Sequence, residues 1–273
     1  MSDETNVTRT GQTVPVQRPD PITRQCHGCG ARITGDDLQV FAENFLKHVR
    51  SAHPDWPFPD AAVRMVGQNM ARLTGATDRL DDIGPVTVEP VTHQRLDDWA
   101  DFFDHDSHAG NPVGGACYCT EAHVIEPGKA LPPHPGWRAH RELMLDLLDT
   151  GRAFGYLAYV DVRVAGWVNA SRRSDYSLHR VGLTAAPRDE DVVAIACFVI
   201  APPYRRHGLA GQLLERVIAD APSRGVHWVE AYPFNDGAGR QGSGHRGARA
   251  MFDDRGFEPV EHRPIDTVMR LRV

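Results

Sequence analysis

Residues Val192 to Ser223 read VVAIACFVIAPPYRRHGLAGQLLERVIADAPS, and three signals follow one another without a gap. Val192 to Ile200 is an uninterrupted apolar run, rich in β-branched and aromatic types and too short to span a membrane. It predicts a central strand buried on both faces. Pro202-Pro203 cannot donate to a β-ladder, so the chain must leave the sheet there and splay from its neighbour. From Leu209 the period becomes helical: Leu209, Leu213 and Val217 recur every four residues, Leu214 and Ile218 flank them, and Gln212, Glu215, Arg216 and Asp220 face away.

Between strand and helix lies Arg205-Arg206-His207-Gly208-Leu209-Ala210-Gly211. Its small residues let a ligand approach the backbone closely. First-turn amides have no intrahelical partner and carry the positive end of the helix dipole, which makes an anion site out of backbone. The two arginines and the histidine add side-chain charge suited to phosphate.

Arg205-x-x-Gly208-x-Ala210 at a helix start, after a long apolar strand, resembles the acyl-CoA pyrophosphate loop of the GNAT N-acyltransferase superfamily. Ala250 to Glu258, AMFDDRGFE, resembles that family's short helix ending in Gly-Phe. The order of predicted elements also fits. A short strand at Val86 to Val91 precedes a helical face at Leu96, Trp99, Phe102 and Phe103, then a helix over Gly136 to Leu148. Strands at Phe154 to Val160 and Val164 to Ala170 form an antiparallel pair. The central strand and helix follow, then a strand at Val226 to Ala231, a helix at Ala248 to Asp254 and two closing strands from Phe257. The resemblance covers about residues 85–273. It implies a mixed α/β (α+β) GNAT fold: a mostly antiparallel central sheet, splayed between the fourth and fifth strands of the domain, with flanking helices.

For function the resemblance implies acetyl-CoA as cosubstrate and transfer of its acetyl group to a primary amine by direct attack. Pantetheine would pair with the backbone of Phe198, Val199 and Ile200, and the pyrophosphate would rest on Arg205, Arg206, His207, Gly208, Leu209, Ala210 and Gly211. A backbone amide near Val199 would polarise the oxyanion. The family's usual proton-donating tyrosine is replaced here by Phe252, which has no proton to give. Glu230 and Tyr232 share a strand face and form a candidate acid–base couple if that face lines the gap. Otherwise Glu230 pairs with an arginine and Tyr232 packs at a sheet edge. The missing tyrosine keeps a second function open: a non-catalytic acyl-CoA-binding or zinc-dependent interaction protein.

Upstream, Cys26, Cys29, His48 and His53 give C-x2-C-x18-H-x4-H. Thiolate and imidazole are natural zinc ligands, and a C-x2-C turn offers two sulfurs to one tetrahedral ion. A helix begins at Asp36-Asp37, buries Leu38, Phe41, Phe45 and Val49, and ends at Pro54. Residues 25–80 are thus expected to be a small module with structural Zn2+, after a disordered tail over 1–24. Six basic residues (Arg32, Lys47, Arg50, Arg64, Arg72, Arg79) meet six acidic ones (Asp36, Asp37, Glu43, Asp55, Asp60, Asp78), so the module lacks the basic stripe of a nucleic-acid binder. Protein docking or a homodimer is the role such a module suits.

The chain has 273 residues, 41% hydrophobic and 24% charged, long enough for two domains with a good core. A net charge of −6 gives no general attraction to nucleic acid or anionic membrane and mildly suits a cationic amine, whether a small molecule or a protein lysine. Neither a secretion signal nor a membrane-length apolar run is present, and five cysteines favour reduced thiols or a metal site, so a cytoplasmic protein is expected. Cys117 and Cys119 read as buried structural thiols, with a catalytic thiol or a second metal site with His108 and His123 as the alternatives. The glycine-rich loop Asn235 to Gly247, which holds His245 and Arg246, is either a coenzyme lid or an unstructured connection.

Overall fold

The computed structural model describes residues 20–125, 136–178, 187–235 and 244–273, together with the backbone of Thr5–Val7 and Thr13–Pro15. Residues 1–4, 8–12 and 16–19 of the tail expected over 1–24, and 236–243 of the glycine-rich loop, lie outside the described residues. Thr5–Val7, Thr13–Pro15 and residues 22–24 are paired strands, not the disordered chain the sequence suggested, because their backbone groups find antiparallel partners. The chain divides into two compact units, Met1–Ala71 and Arg72–Val273.

In the first unit β1 (Thr5–Val7) pairs with β2 (Thr13–Pro15), and β3 (Ile22–Gln25) with β4 (Arg32–Gly35), each antiparallel. Helix α1 (Leu38–Ala52) follows, started by Asp37, whose side chain accepts from the amides of Gln39 and Val40. That satisfies two of the donors a helix N-terminus leaves open. Helix α2 (Asp60–Arg72) comes next. Phe41, Phe45, Leu46 and Val49 of α1 pack with Ile33, Val63 and Met70 into a small apolar cluster. A core of this size needs a staple.

The second unit is built on one seven-stranded sheet. Its strands are β5 (Val86–Pro90), β6 (Gly155–Val160), β7 (Arg163–Arg172), β8 (Val192–Ile200), β9 (Trp228–Ala231), β10 (Glu258–His262) and β11 (Thr267–Arg272), in the spatial order β10-β11-β9-β8-β7-β6-β5. All neighbours pair antiparallel except β8 and β9, which are parallel. A parallel pair needs a crossover, and α6 (Leu209–Asp220) supplies it.

Alternation along the strands sends side chains to two cores. On one face Leu209, Leu213, Leu214 and Val217 of α6 meet Tyr156, Ala158, Val168 and Phe198. Each leucine, valine and phenylalanine among them contributes about 1.5–3 kcal/mol by leaving water. On the other face α3 (Leu96–Asp101) and α5 (Trp137–Asp149) bring Trp99, Met144 and Leu147 onto Leu157, Trp167, Cys197 and Val199. Both cores claim residues of β8, which explains the uninterrupted apolar run at Val192–Ile200. Between α3 and α5 the chain makes a π turn at Phe102–Asp106 and a four-residue helix α4 (Glu121–Val124); a further short helix, α7 (Arg249–Asp253), precedes β10. Among the described residues no helix is long and apolar enough to cross a membrane.

Candidate functional site

The parallel pairing of β8 with β9 stops at Ile195 opposite Ala231, yet β8 continues to Ile200 while still paired to β7 on its other side. The gap expected between the domain's fourth and fifth strands therefore begins after Ile195. The Ala201 amide donates to the Ala165 carbonyl at 3.0 Å, on the β7 side. By alternation Val199 also directs its amide to β7, while Phe198 and Ile200 direct theirs into the gap. Phe198 and Ile200, rather than Val199, thus present the backbone donors.

A single 3-10 turn at Pro202–Tyr204 leads out of the strand, and Arg205 Nε returns to the Ile200 carbonyl at 3.0 Å. Arg206 and Gly208 both have positive φ, 69° and 78°. The turn ends at Gly208, the N-cap of α6, where an added Cβ would meet nothing within 4 Å. The open amides of the first turn of α6 face that space. His207 is turned elsewhere: its Nε2 lies 2.9 Å from the Leu80 carbonyl, while the Leu80 amide donates to Pro203 O at 3.0 Å, so the two bonds brace the loop.

Two openings meet at this loop. A cleft of about 690 Å³ is lined by Ala196–Ile200, Arg205 and Ala210, by Ser107, His108, Asn111, Cys117, Cys119 and Glu121, and by Gly244–Ala248 with Met251. A shallower opening of about 490 Å³ is lined by Arg205, Arg206, Gly208, Leu209, Ala210, Gly211, Asp254 and Arg255. Ile200, Arg205, Ala210 and Met251 belong to both, so the two openings adjoin. Every coenzyme residue expected from the sequence lines one or both, except His207.

Glu230 and Tyr232 do share a face: the Tyr232 hydroxyl donates to Glu230 Oε1 at 2.5 Å. Both are fully buried, and they line neither opening. Glu230 Oε2 accepts from Arg173 Nη1 at 2.9 Å and from Arg270 Nε and Nη2 at 3.0 and 2.7 Å. The reason is register, because Glu230 on β9 stands opposite Arg270 on β11. Burial would lower the pKa of Arg173, but Glu230 and Asp189 more than offset it. Burial, and then the charge of Glu230, hold the Tyr232 phenol well above its usual pKa, so it stays protonated. A carboxylate so buried and paired, on neither opening, is not placed to take a proton from a ligand in the cleft.

Cys119 and Cys197 approach to 3.0 Å between sulfurs in the cleft wall. Burial pushes Cys117 up to about 12 and Cys119 well above the usual thiol range, so both remain protonated thiols and poor nucleophiles. Among the described residues no cluster of metal donors includes either. Phe252 is fully buried against Phe198 and Phe257, with ring centroids 6.4 and 5.4 Å away. Arg246 lines the cleft and is held by Asp266 at 2.6 Å.

In the first unit the four candidate ligands converge. Cys26 and Cys29 sit in the turn joining β3 to β4, tightened by Gly30 N donating to Cys26 O and Cys26 N to Ala31 O. His48 is in the last turns of α1, and His53 caps its end. The donor atoms of all four lie within 4.8 Å of one another. Cys26 Sγ is 3.4 Å from His53 Nε2, and Cys29 Sγ 3.4 Å from His48 Nε2. A tetrahedral zinc with its usual bond lengths separates sulfur and nitrogen ligands by about 3.5 Å, so the donor set fits that ion. Gly28 allows the approach, since a Cβ there would come within 3.0 Å of the His53 ring.

Residues 118–241 match the model of the acetyltransferase (GNAT) family, and the second unit has the mixed α/β fold described above. Among solved structures the chain is similar to the GNAT domain of S. lividans PAT, at 16% identity over 70% of this chain and 92% of that one, TM-score 0.43. It is also similar to a putative acetyltransferase from Salmonella typhimurium solved with its cofactor acetyl-CoA, at 13% identity over 68% and 93%, TM-score 0.42. A third is the ribosomal-protein-S18-alanine N-acetyltransferase of Escherichia coli, at 14% identity over 69% and 94%, TM-score 0.37. No curated protein matches the chain.

Proposed function

We propose that the second unit is an acyl-CoA-dependent N-acyltransferase that moves an acetyl group from acetyl-CoA to a primary amine by direct attack. The observation that carries this reading is the loss of β9 as a partner after Ile195, in a strand that ends at the open N-terminus of α6. An extended ligand with amides along its length and phosphate at one end suits that arrangement. Pantetheine pairs with the backbone of Phe198 and Ile200, and the pyrophosphate rests on the amides of Arg206 to Gly211 with Arg205 and Arg206 beside it. The thioester then lies in the cleft of about 690 Å³. The amine nitrogen bonds to the carbonyl carbon, the carbon–sulfur bond breaks, and a backbone amide facing the gap stabilises the oxyanion, an effect worth about 10²–10³-fold per donor. Zinc, held by Cys26, Cys29, His48 and His53, supplies the first unit with the stability its small core lacks.

The test is calorimetric titration with acetyl-CoA and with coenzyme A. Ala210→Glu places a carboxylate beside the expected pyrophosphate at a helical position where glutamate is tolerated. Gly208→Glu would add backbone strain at positive φ and blur the result. Expected are binding of both ligands by the native chain and at least about a tenfold loss, ~1.4 kcal/mol, in the variant. Equal affinities would put the phosphate site elsewhere. Tight binding without thiol release on adding amines would favour the non-catalytic acyl-CoA-binding reading.

A further inference from the structure

If the thioester lies along Phe198 to Ile200, two protons must move near it: one off the attacking nitrogen, one onto the departing sulfur. Neither Phe252 nor the sealed Glu230–Tyr232 pair serves. Among the described residues lining the cleft the only carboxylate is Glu121, which is exposed. His108 lines the same cleft from the loop that follows the π turn.

We propose that His108 is the proton shuttle of the acyl transfer: its Nε2 takes the proton of the attacking amine and returns it to the coenzyme sulfur. This rests on the acyl-transfer reading above. The ring is fixed for the task. Its Nδ1 lies 2.9 Å from Ser107 Oγ, and that hydroxyl is 3.5 Å from the Phe103 carbonyl, to which it donates. The shuttle requires the tautomer in which Nδ1–H donates to Ser107 Oγ, which leaves the lone pair on Nε2. Among the described residues nothing hydrogen-bonds Nε2. Gly114 packs against the ring edge, where a Cβ would come within 2.9 Å of Cδ2.

The charged and titratable groups facing the imidazole are Arg72 at the end of α2, Arg205 in the phosphate loop and His245 before α7. Burial first, and then Arg72, Arg205 and His245 in that order, push His108 down to about 4, so it is neutral at physiological pH. Neutrality suits the first step, because nitrogen becomes much more acidic once it has bonded to the carbonyl carbon. The cationic surroundings suit the second, because an imidazolium held there gives up its proton readily. The balance is closed: N–C forms, C–S breaks, and the amine proton passes through Nε2 to the thiolate, leaving amide and free coenzyme thiol. No external acid or oxidant is required.

The full-length protein is assayed by thiol release from acetyl-CoA with spermidine, a lysine-containing peptide and free amino acids as acceptor probes, beside calorimetric acetyl-CoA affinity. His108→Gln is expected to lower kcat by about 10²–10⁴-fold with the acetyl-CoA Kd unchanged. His108→Ala should regain part of the lost kcat when imidazole is added, which a purely structural role would not allow. Retained kcat in His108→Gln, or loss in Glu121→Gln instead, overturns the shuttle and leaves the acyltransferase reading intact. Binding of acetyl-CoA with no thiol release to any probe also overturns it. Failure of the native chain to bind acetyl-CoA removes the underlying reading itself.

Discussion

Glu230 has no exposure to solvent and answers two guanidinium groups, with the Tyr232 hydroxyl on its other oxygen. Removing one member of such a buried cluster leaves the others charged and unpaired, which costs about 3–5 kcal/mol. Glu230→Gln keeps the shape and deletes the charge, so it should lower Tm by roughly 6–20 °C for a unit of this size, with acetyl-CoA affinity of the folded protein preserved. Differential scanning calorimetry checks this; an unchanged Tm with a reduced kcat would return Glu230 to the role of base. The sequence carried half of this site. Period-two alternation placed Glu230 and Tyr232 together, but the direction of their face depends on a pairing with Arg270, on a strand forty residues further on. From the sequence His108 could be named only as a possible metal partner of Cys117 and Cys119; a proton-carrying role was hidden for the same reason, since Ser107 is adjacent but Arg72 and Arg205 reach it only through the fold.

Among the elements, β8 and α6 were legible in full because the physics that forms them is local. A strand buried on both faces shows no alternation, two prolines mark its end, and a helix with one buried stripe announces its period. The helix α1 was equally plain, from Asp37 at its start to Pro54 beyond its end. The β3–β4 hairpin was not. Its strands are four residues long and include Thr23, Arg24, Arg32 and Thr34, too polar to give a pattern, and the turn between them is read only from its cysteines. This hairpin and α1 meet at the four donor atoms, so their union should depend on metal. Elemental analysis of the purified protein is expected to give one zinc per chain, lost in Cys26→Ser with Cys29→Ser, along with part of the helical circular dichroism. Native protein free of zinc and unchanged in spectrum would rule the site out.

For the whole molecule, the order of elements from β5 to β11 followed from pattern alone, with α4 and the π turn added by packing around Trp99 and Tyr118. The cleft was less readable, because it gathers β8, the segment from Ser107 to Glu121 and the approach to α7, which are widely separated in sequence. The early end of the β8–β9 pairing has one more consequence. From Ala196 onward the sheet has an edge in its own interior, and an edge is normally a place where another strand adds. Here a coenzyme would be that addition, a strand made of pantetheine rather than protein. Hydrogen exchange should therefore split β8: the amides of Phe198 and Ile200 exchange faster than those of Val193 to Ile195 in the free protein, and slow when acetyl-CoA is present. If acetyl-CoA binds and leaves those two amides unprotected, the ligand does not lie in the gap. If they slow together, the sheet is finished only when its substrate arrives.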